Sequence, residues 1–362
     1  MRMSFGEALR VTVFGSSHGP EVGSVVEGLP PGLPVDLAQV QAALDRRRPV
    51  GRRLATRRAE PDRLVLTEGI SDGRTTGGPV VGYVRNEDVR RGPYRPLEDV
   101  PRPGHADYPA RERYDGLMDL SGGGIFSGRM TVGLVLAGAL VRPYLTAKGV
   151  SVLAFTRSIH DHSVPETALH LPLPELEAAS RQNELGAPDA LAAQAMAQTI
   201  EEARRSGDSV GGIIEARAEG LPVGLGEPFF DPLEGSLAHA LFAIPAIKGV
   251  EFGSGFSAAG RRGSENNDPY EWVGGELRTR TNHAGGILGG LATGMPLVLR
   301  VVVKPTSSIA REQDSVSLSR RTPERLVVTG RHDPCIVPRA VPVVEHVTGF
   351  VLADFLLRRG RA

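Results

Sequence analysis

Cysteine is nearly absent from this sequence, and neither sign of charge is in excess. The single cysteine, Cys335, excludes an internal disulfide framework and a zinc cluster built on cysteine. Lysine plus arginine and aspartate plus glutamate each total 42, so the formal net charge is zero. A chain without net charge has no overall electrostatic attraction to nucleic acid or to an anionic membrane. Any strongly basic site must therefore be local.

A long hydrophobic run is also missing. The longest apolar stretch, residues 130–141, is well short of the roughly 20 residues that cross a bilayer. The N-terminal residues lack the positive start and apolar run of a signal peptide. Hydrophobic residues make up 40% and charged residues 23% of the 362 residues, as in ordinary soluble proteins. We therefore expect a cytoplasmic protein that has neither a membrane nor a nucleic-acid partner.

Glycine and proline are frequent but scattered along the chain, so no linker is indicated and residues 1–362 are expected to form a single domain. Asp36 is the expected N-cap of the first helix, and Pro143 is expected to bend or end the second. Because predicted helices and strands do not alternate steadily, the pattern favours an α+β fold. Apolar periodicity predicts helices at residues 36–48, 128–148, 187–206 and 341–359. It predicts strands at residues 10–14, 63–70, 79–85, 209–218, 297–303 and 325–329, and surface loops at residues 157–186 and 260–270.

The first candidate site is the segment Gly15-Ser16-Ser17-His18-Gly19, which follows a predicted strand. Small residues on both sides would leave the His18 imidazole and the hydroxyl groups open to a ligand. The same composition also fits a glycine-rich turn with an exposed histidine. The residues of this segment alone do not choose between the two.

Arginines are concentrated at residues 46–58, where the cluster comprises Arg46, Arg47, Arg48, Arg52, Arg53, Arg57 and Arg58. Neighbouring guanidinium groups repel one another unless anionic ligands or carboxylates lie between them. A solvated charged surface is the simplest interpretation, and RNA binding is a functional alternative. The stretch lacks the aromatic residues that a stacking platform for RNA would use.

Two further motifs present a histidine and a glycine-rich loop. In the motif RPGHAD at residues 102–107, proline and glycine favour a turn that presents His105. The loop at residues 119–129 precedes an apolar helix, so its backbone N–H groups and Arg129 are suited to hold an anion. The loop has neither the Gly-Lys-Ser/Thr ending of a Walker loop nor the Gly-x-Gly-x-x-Gly of a dinucleotide site.

The C-terminal third contains the motifs NHAGGILGG at residues 282–290, KPTSS at residues 304–308 and RHDPC at residues 331–335. A lysine at a strand end followed by three hydroxyl groups suits a phosphate group or the edge of a flavin ring. Arg331 places a permanent cation beside the potential base Asp333. Each segment alone would also fit a turn with capping residues. No His-x-x-x-His or His-Glu-x-x-His pattern occurs, so no metal site is predicted, and the lone cysteine is expected to be structural.

Together these motifs resemble the signatures of the chorismate synthase family, and the similarity extends from Phe5 to the final helix. The resemblance implies an α+β fold of the chorismate synthase type, a β-α-β sandwich, and a homotetramer. It implies the anti-1,4-elimination of phosphate from 5-enolpyruvylshikimate 3-phosphate to give chorismate. Reduced FMN would be required without net redox change, and NADPH would serve if the chain reduces its own flavin. An NADPH-dependent flavin reductase or oxidoreductase and an RNA- or polyanion-binding protein are the alternatives.

The resemblance also implies residue roles. His18 would protonate the leaving phosphate, His105 would supply a proton to the reduced flavin, and Asp333 would assist removal of the substrate proton. Substrate contacts would come from Ser17, Arg48, Arg129 and Arg339, and NADP contacts from Arg48 and Arg53. The flavin would be bound by Ser127, Ala246, Gly289, Lys304, Pro305, Thr306, Ser307, Ser308 and Arg331.

The glycine-rich loop departs from the family pattern. Many members read Arg-Gly-Gly-Gly-Arg-Ser-Ser-Ala-Arg-Glu, whereas residues 121–130 here read SGGGIFSGRM. Two cations are lost, while Ser127 and Arg129 are retained. Pro245-Ala246 likewise replaces a common Asn-Ala flavin contact. The anion contacts near the flavin are therefore expected to be divided differently in this chain.

Overall fold

Two antiparallel sheets with a layer of helices between them make up the fold. The computed structural model describes residues 2–48, 54, 60–89, 92–328, 330 and 332–360. The strands are β1 (Ser4–Phe5), β2 (Arg10–Gly15), β3 (Glu21–Glu27), β4 (Val65–Glu68), β5 (Ile70–Ser71), β6 (Arg74–Thr75), β7 (Val80–Arg85), β8 (Ser151–Ile159), β9 (His162–Ser163), β10 (Gly212–Glu219), β11 (Ile247–Phe252), β12 (Tyr270–Val273), β13 (Glu276–Thr279), β14 (Ile287–Leu288), β15 (Leu291–Ala292), β16 (Leu297–Val303), β17 (Gln313–Ser317) and β18 (Thr322–Leu326). The α-helices are α1 (Leu37–Arg47), α2 (Asp107–Arg113), α3 (Thr131–Ala147), α4 (Glu166–Leu169), α5 (Leu173–Ser180), α6 (Ala190–Arg205), α7 (Leu233–Phe242), α8 (Gly263–Asn266) and α9 (Val337–Arg359). Short 3₁₀ helices cover Gly92–Glu98, Ser121–Phe126, Gly128–Met130 and Gly255–Gly260.

Each of the two main sheets has five strands. The strand order is β1-β2-β3-β7-β4 in the first sheet and β11-β16-β10-β8-β9 in the second, and neighbouring strands are antiparallel. In β16 the buried positions Leu297, Leu299 and Val301 alternate with more exposed residues, as expected for a strand with one face on the core. The buried side chains of both sheets join one core cluster with α3 and α9.

Helices α3 and α9 form the inner layer. α3 packs on β2, β3 and β7 of the first sheet, α9 packs on β8 and β10 of the second, and the two helices pack on each other. Glycines permit the close approach, because a Cβ on Gly133 would lie 2.6 Å from the Gly23 carbonyl oxygen and one on Gly138 would lie 2.4 Å from Cβ of His346. The continuous helical stretch Gly128–Ala147, which contains α3, and helix α9 are both long and apolar enough to cross a membrane, but 72% and 94% of their apolar windows are buried inside the fold. Burial on both sides therefore explains their apolar character.

The predicted α+β class and the β-α-β sandwich are confirmed by this layered arrangement. Asp36 caps α1 as predicted, because its Oδ1 accepts the N–H groups of Ala38 at 2.9 Å and Gln39 at 3.3 Å. Seven predicted elements are confirmed, and their ends differ from the prediction by at most three residues. They are α1, α3, α6, β2, β7, β10 and β16.

Element boundaries differ from the prediction where proline or glycine intervenes. α3 continues past Pro143 for another turn, so this proline does not end the helix. The last helix begins at Val337 rather than at residue 341, since Pro338 is tolerated in the first helical turn. Residues 63–70 do not form one strand, because Gly69 adopts a left-handed backbone with φ of +83° between β4 and β5.

Both predicted surface loops are wrong. Residues 157–186 contain the end of β8 together with β9, α4 and α5, and residues 260–270 contain α8. These elements are so short that they present too few periodic positions to stand out from the sequence. The strand predicted at residues 325–329 is displaced to β18, and Thr329 lies outside the described residues.

Candidate functional site

A cavity of about 580 Å³ is enclosed by separate stretches of chain and by Arg47, Glu60 and Asp62. The stretches contribute residues 102–106, residues 122–131 before and within the start of α3, residues 242–246 at the end of α7, residues 304–308 after β16, and residues 332–343 around the start of α9. The N-terminal ends of both core helices therefore reach the cavity. Free backbone N–H groups at helix N-termini favour anionic ligands.

Asp62 is a buried carboxylate held between two arginines. It is 1% exposed, Nη2 of Arg47 lies 2.5 Å from one carboxylate oxygen, and Nη1 of Arg129 donates to the other. Burial alone would raise the pKa of Asp62, but the two guanidinium groups hold that pKa below its usual value. Burial lowers the pKa of Arg47 to about 10, against the opposing charge of Asp62. Two guanidinium groups are thereby fixed at the cavity wall.

Asn86 connects this arginine pair to the histidine segment near the N-terminus. Its Oδ1 accepts a hydrogen bond from Nε of Arg129 at 2.8 Å. Its Nδ2 donates to the carbonyl oxygens of Ser16 at 3.0 Å and Gly19 at 2.8 Å. The Asn86 side chain thus fixes the position of the turn around His18 relative to Arg129.

His18 is buried directly behind the glycine-rich loop. Its Nδ1 lies 3.2 Å from Ser17 Oγ, and a Cβ on Gly122 would lie 2.0 Å from its Cε1. The N–H of Ser17 donates to the Gly124 carbonyl at 3.2 Å, and Ser17 is fully buried. The expectation that small neighbours leave the imidazole open is therefore wrong, because the loop folds over it. Gly122 lines the cavity, so Ser17 and His18 lie behind its wall.

His105 is held by a carboxylate and a guanidinium group. Its Nδ1 lies 2.6 Å from Asp107 Oδ1 and 3.1 Å from Arg102 Nη2. Arg102 donates two side-chain hydrogen bonds of 2.7 Å to the Asp107 carboxylate and a third, of 3.0 Å, to Ser308 Oγ. Burial alone would raise the pKa of Asp107, but hydrogen bonds from Arg102 and His105 hold that pKa well below its usual value. The predicted turn does present His105 to the cavity.

Arg339, in the first turn of α9, connects two separate stretches of the cavity wall. Its Nη1 lies 2.5 Å from Asp333 Oδ2, and its Nε donates to the Arg47 carbonyl at 3.3 Å. Oγ1 of Thr306 donates to the backbone carbonyl of Asp333 at 2.9 Å. The candidate base, a cation and a hydroxyl-bearing segment are therefore adjacent.

Most of the predicted flavin group lines the cavity and comes from three stretches of chain. Nζ of Lys304 donates to the Gly104 carbonyl at 2.6 Å, and burial with a neighbouring charge from Lys248 lowers the pKa of Lys304. A cation beside several hydroxyl groups suits a phosphate group. The members of the predicted flavin group that line the cavity are Ser127, Ala246, Lys304, Pro305, Thr306, Ser307 and Ser308.

Known proteins are similar in sequence to this chain over nearly its whole length. The family model described as chorismate synthase matches residues 9–357. This chain belongs to the chorismate synthase family. A chorismate synthase of Korarchaeum cryptofilum is 48% identical over 357 residues, covering 99% of this chain and 98% of that protein. One of Thermococcus gammatolerans is 48% identical over 354 residues, covering 98% of this chain and 97% of that protein.

A solved structure agrees with the sequence comparisons. A crystal structure of a chorismate synthase matches this fold with a TM-score of 0.77 at 28% identity, covering 98% of this chain and 93% of that one. The predicted chorismate synthase fold type is thereby confirmed. Chorismate synthases are carbon–oxygen lyases, and this chain is an enzyme of that class.

Some residues predicted from the chorismate synthase resemblance lie apart from the cavity. Arg48 follows the last residue of α1 as its C-cap, and its Nη1 lies 3.4 Å from Asp45 Oδ1, outside the cavity wall. Gly289 lies in the turn between β14 and β15, also outside the wall. Arg53 and Arg331 lie outside the described residues.

Two members of the arginine cluster are neutralised inside this chorismate synthase fold. Arg46 donates to both oxygens of the buried Glu345, at 2.6 and 3.2 Å, and Arg47 pairs with Asp62. Guanidinium groups bound to internal carboxylates are not free to contact an RNA backbone. Together with the family assignment, these pairs weaken the RNA-binding alternative.

His332 is a cavity residue that sequence reasoning did not single out. Its Nε2 is buried and has no hydrogen-bond partner among the described residues. Burial and the cations nearby, Arg102 first, lower the pKa of His332 to about 4, against the opposing charge of Asp333. In the sequence, the signal that could have identified His332 as a site residue is its place beside Asp333 in the RHDPC motif. Asp62 and Asn86 were missed as well, since each resembles an ordinary polar turn residue in the sequence.

The partly buried His332 should reduce folding stability at acidic pH. Its pKa is about 4 in the folded protein against about 6.5 in an unfolded chain, so the unfolded state binds more protons between these values. The stability that neutral His332 contributes is present above pH 6.5 and is lost as the pH falls towards 4. His332→Gln should remove about 2 kcal/mol of the difference in unfolding free energy between pH 7 and pH 4.5, measured with urea. The exposed His170→Gln is the control, and equal pH dependence in His332→Gln and the parent would contradict the prediction.

Cys335 is buried, and burial raises the pKa of its thiol to about 12. A thiol that stays protonated is a poor nucleophile, which agrees with the structural role expected from the sequence. Across the residues that the structure describes, no group of three or more histidine, cysteine or acidic side chains is placed to hold a metal ion.

Proposed function

We propose that this enzyme catalyses the anti-1,4-elimination of phosphate from 5-enolpyruvylshikimate 3-phosphate, giving chorismate, with reduced FMN and without net redox change. The observation that carries the proposal is the convergence of His105, Asp333, Arg129 and Arg339 on one cavity. A substrate with a phosphate and two carboxylates needs cations around it, an acid near the leaving group and a base near the departing proton. The cations and the candidate base line the cavity from distant stretches of chain, and the candidate acid His18 lies behind the loop at Gly122.

The proposed flavin site is the side of the cavity that contains the predicted flavin group. The cation of Lys304 and the hydroxyl groups of Thr306, Ser307 and Ser308 fit a phosphate group such as that of FMN. Reduced FMN, when bound, supplies electron density to the substrate as phosphate leaves. Gly289 and Arg331 enter this proposal through the family resemblance alone.

Cations at the cavity wall are proposed to bind the anionic groups of the substrate. Arg129 and Arg339 both line the cavity and are oriented by internal carboxylates. Ser17 and Arg48 join this set by resemblance, and Arg48 and Arg53 are the proposed NADPH contacts if the enzyme reduces its own flavin. Orientation of the guanidinium groups before binding reduces the entropy lost when the substrate binds.

Three residues are proposed to move protons. Asp333 would assist removal of the substrate proton, and its ion pair with Arg339 keeps it beside a bound anion. His105 would exchange a proton with the flavin from the cavity wall. His18 would protonate the leaving phosphate, which requires the loop at Gly122 to yield, because the imidazole lies behind it.

Residues 1–362 are further proposed to form a single domain, and four copies to assemble in the cytoplasm. Support for assembly comes from large aromatic side chains on the surface, since Phe229 and Phe230 are 89% and 96% exposed and Trp272 is 74% exposed. Exposed aromatic surface of this kind favours contact between subunits. Light scattering should give about four times the mass of one chain, and a monomer would contradict the proposal. No membrane or nucleic-acid partner is proposed.

Anaerobic phosphate release from 5-enolpyruvylshikimate 3-phosphate with dithionite-reduced FMN tests the proposed reaction. We expect one phosphate for each chorismate formed and a flavin that is not consumed, whereas oxidised FMN without reductant should support no turnover. A flavin reductase would consume NADPH in proportion to product, an alternative that the family comparisons do not favour. Absence of phosphate release with reduced FMN would refute the proposal.

A further inference from the structure

We propose that Asp107 is a positioning residue that holds His105 in the tautomer with its proton on Nδ1, so that Nε2 exchanges protons with the contents of the cavity. The inference rests on the proposed function, since it gives Asp107 a part in the same reaction. Asp107 does not line the cavity and acts only through His105. The tautomer of His105 is set by the neighbour that controls Nδ1.

Two neighbours of His105 Nδ1 require opposite tautomers. Asp107 Oδ1, at 2.6 Å, accepts a hydrogen bond, whereas Arg102 Nη2, at 3.1 Å, can only donate one. The contact with the carboxylate is shorter and joins an N–H to an ionised acceptor, which is the stronger type of hydrogen bond. Nη2 of Arg102 already donates to Asp107 Oδ1 at 2.7 Å. The carboxylate therefore decides the tautomer, and Nδ1 carries the proton.

The other ring nitrogen of His105 faces the glycine-rich loop at the cavity. A Cβ on Gly123 would lie 3.4 Å from Nε2, so the glycine leaves this edge of the ring uncrowded. The His105 side chain is 18% exposed, whereas that of Asp107 is 5% exposed. The imidazole thus presents Nδ1 to the buried carboxylate of Asp107 and Nε2 to the glycine-rich loop. A fixed Nδ1–H leaves Nε2 as the nitrogen that gains and loses a proton.

The carboxylate of Asp107 is itself held in place. Its Oδ2 accepts Nε of Arg102 at 2.7 Å and the backbone N–H of Arg102 at 3.0 Å, while its Oδ1 accepts Nη2. Nη1 of Arg102 donates to Ser308 Oγ at 3.0 Å. Rotation of the carboxylate away from His105 would break this fork. The orientation of His105 is therefore coupled to the segment proposed to bind the flavin.

Histidine-selective ¹⁵N NMR of the full chain without substrate reads the tautomer directly. Nine histidines are present, and His105→Gln identifies the signal of His105 by its loss. We expect a pyrrole-type Nδ1 and a pyridine-type Nε2. Signals that place the proton on Nε2, or a mixture as in free histidine, would overturn the proposal. This arm needs no variant of Asp107, so it remains decisive if such a variant does not fold.

Asp107→Asn should reverse the tautomer. The single amide oxygen will be drawn to the Arg102 guanidinium, so the NH₂ group faces Nδ1 of His105 and moves the ring proton to Nε2. We expect phosphate release to fall about 100-fold or more, because an amide NH₂ that donates to Nδ1 disfavours the imidazolium, so Nε2 no longer gains and loses a proton. Arg102→Gln is the matched control, since it disrupts the same network but should leave the His105 proton on Nδ1. An unchanged tautomer in Asp107→Asn would overturn the proposal.

The two arms separate this inference from the proposed function. If the parent enzyme has Nδ1–H on His105 but releases no phosphate with reduced FMN, the reaction assignment fails and the positioning by Asp107 stands. If it releases phosphate with His105 protonated on Nε2, the inference fails and the reaction assignment stands.

Discussion

Asp62→Asn is expected to lower the free energy of unfolding by about 3–5 kcal/mol, because it leaves two buried guanidinium groups without an anion between them. Arg47 and Arg129 both contact this carboxylate, and all three side chains are buried. Urea unfolding at pH 7 measures the loss. Inorganic phosphate should restore part of the lost stability in the variant, because a small anion can replace the missing carboxylate. Substrate affinity should also fall, since Arg129 loses its orientation.

Asp314→Asn is the matched control for this prediction. Asp314 also pairs with an arginine, at 2.7 Å from Arg325, but the two side chains are 86% and 64% exposed. An exposed ion pair contributes at most about 1 kcal/mol, so the control should unfold almost as the parent does. If Asp62→Asn also loses no more than about 1 kcal/mol of unfolding free energy, Arg47 and Arg129 must have other anionic partners. The role of Asp62 as the carboxylate that holds both arginines would then be wrong.

Gly122→Ala should reduce phosphate release by about 100-fold or more, because it displaces His18, the residue proposed to protonate the leaving phosphate. The added Cβ would lie 2.0 Å from Cε1 and 2.2 Å from Nδ1 of His18, so either the imidazole or the loop must shift. Gly122 also has φ of +61°, which an alanine adopts only with strain. The measurements are kcat with reduced FMN under anaerobic conditions and flavin affinity, which should largely survive because most of the flavin group, Ala246 and residues 304–308, lies on other stretches.

Gly116→Ala isolates backbone strain from the collision with His18. Gly116 has φ of +70°, close to that of Gly122, but a Cβ there would meet nothing within 4 Å. This variant should lose about 1–2 kcal/mol of stability and keep its turnover. Normal turnover in Gly122→Ala would show that the position of His18 is not important for the reaction.

Features that depend on local interactions were predictable from the sequence. Asp36 caps α1 through N–H groups two and three residues later, and β16 shows a period-two pattern that any strand with one buried face produces. The motifs singled out His105 and the segment 304–308 because glycine, proline and a strand end mark them locally, and both line the cavity. Local signals of this kind need no knowledge of the chain path.

The partners of the site residues were not predictable, because they are brought together by the tertiary fold. Asp62 and Arg129 are 67 residues apart in the sequence, and no local pattern links them. The burial of His18 depends on the path of the loop, in which three consecutive glycines from Gly122 to Gly124 adopt positive φ. The sequence shows that these glycines permit many paths, but not which path covers the imidazole.

Helix α9 joins two distant parts of the molecule without an intervening loop. Its 23 residues extend over about 34 Å. Arg339, near one end, contacts Asp333 in the cavity, while Asp354, near the other, accepts the N–H of Leu9 at 2.7 Å. Heat or denaturant that detaches the first strands of the chain will therefore also displace the guanidinium group at the far end of this helix. Loss of catalytic competence and release of the N-terminal strands should then occur in the same cooperative step.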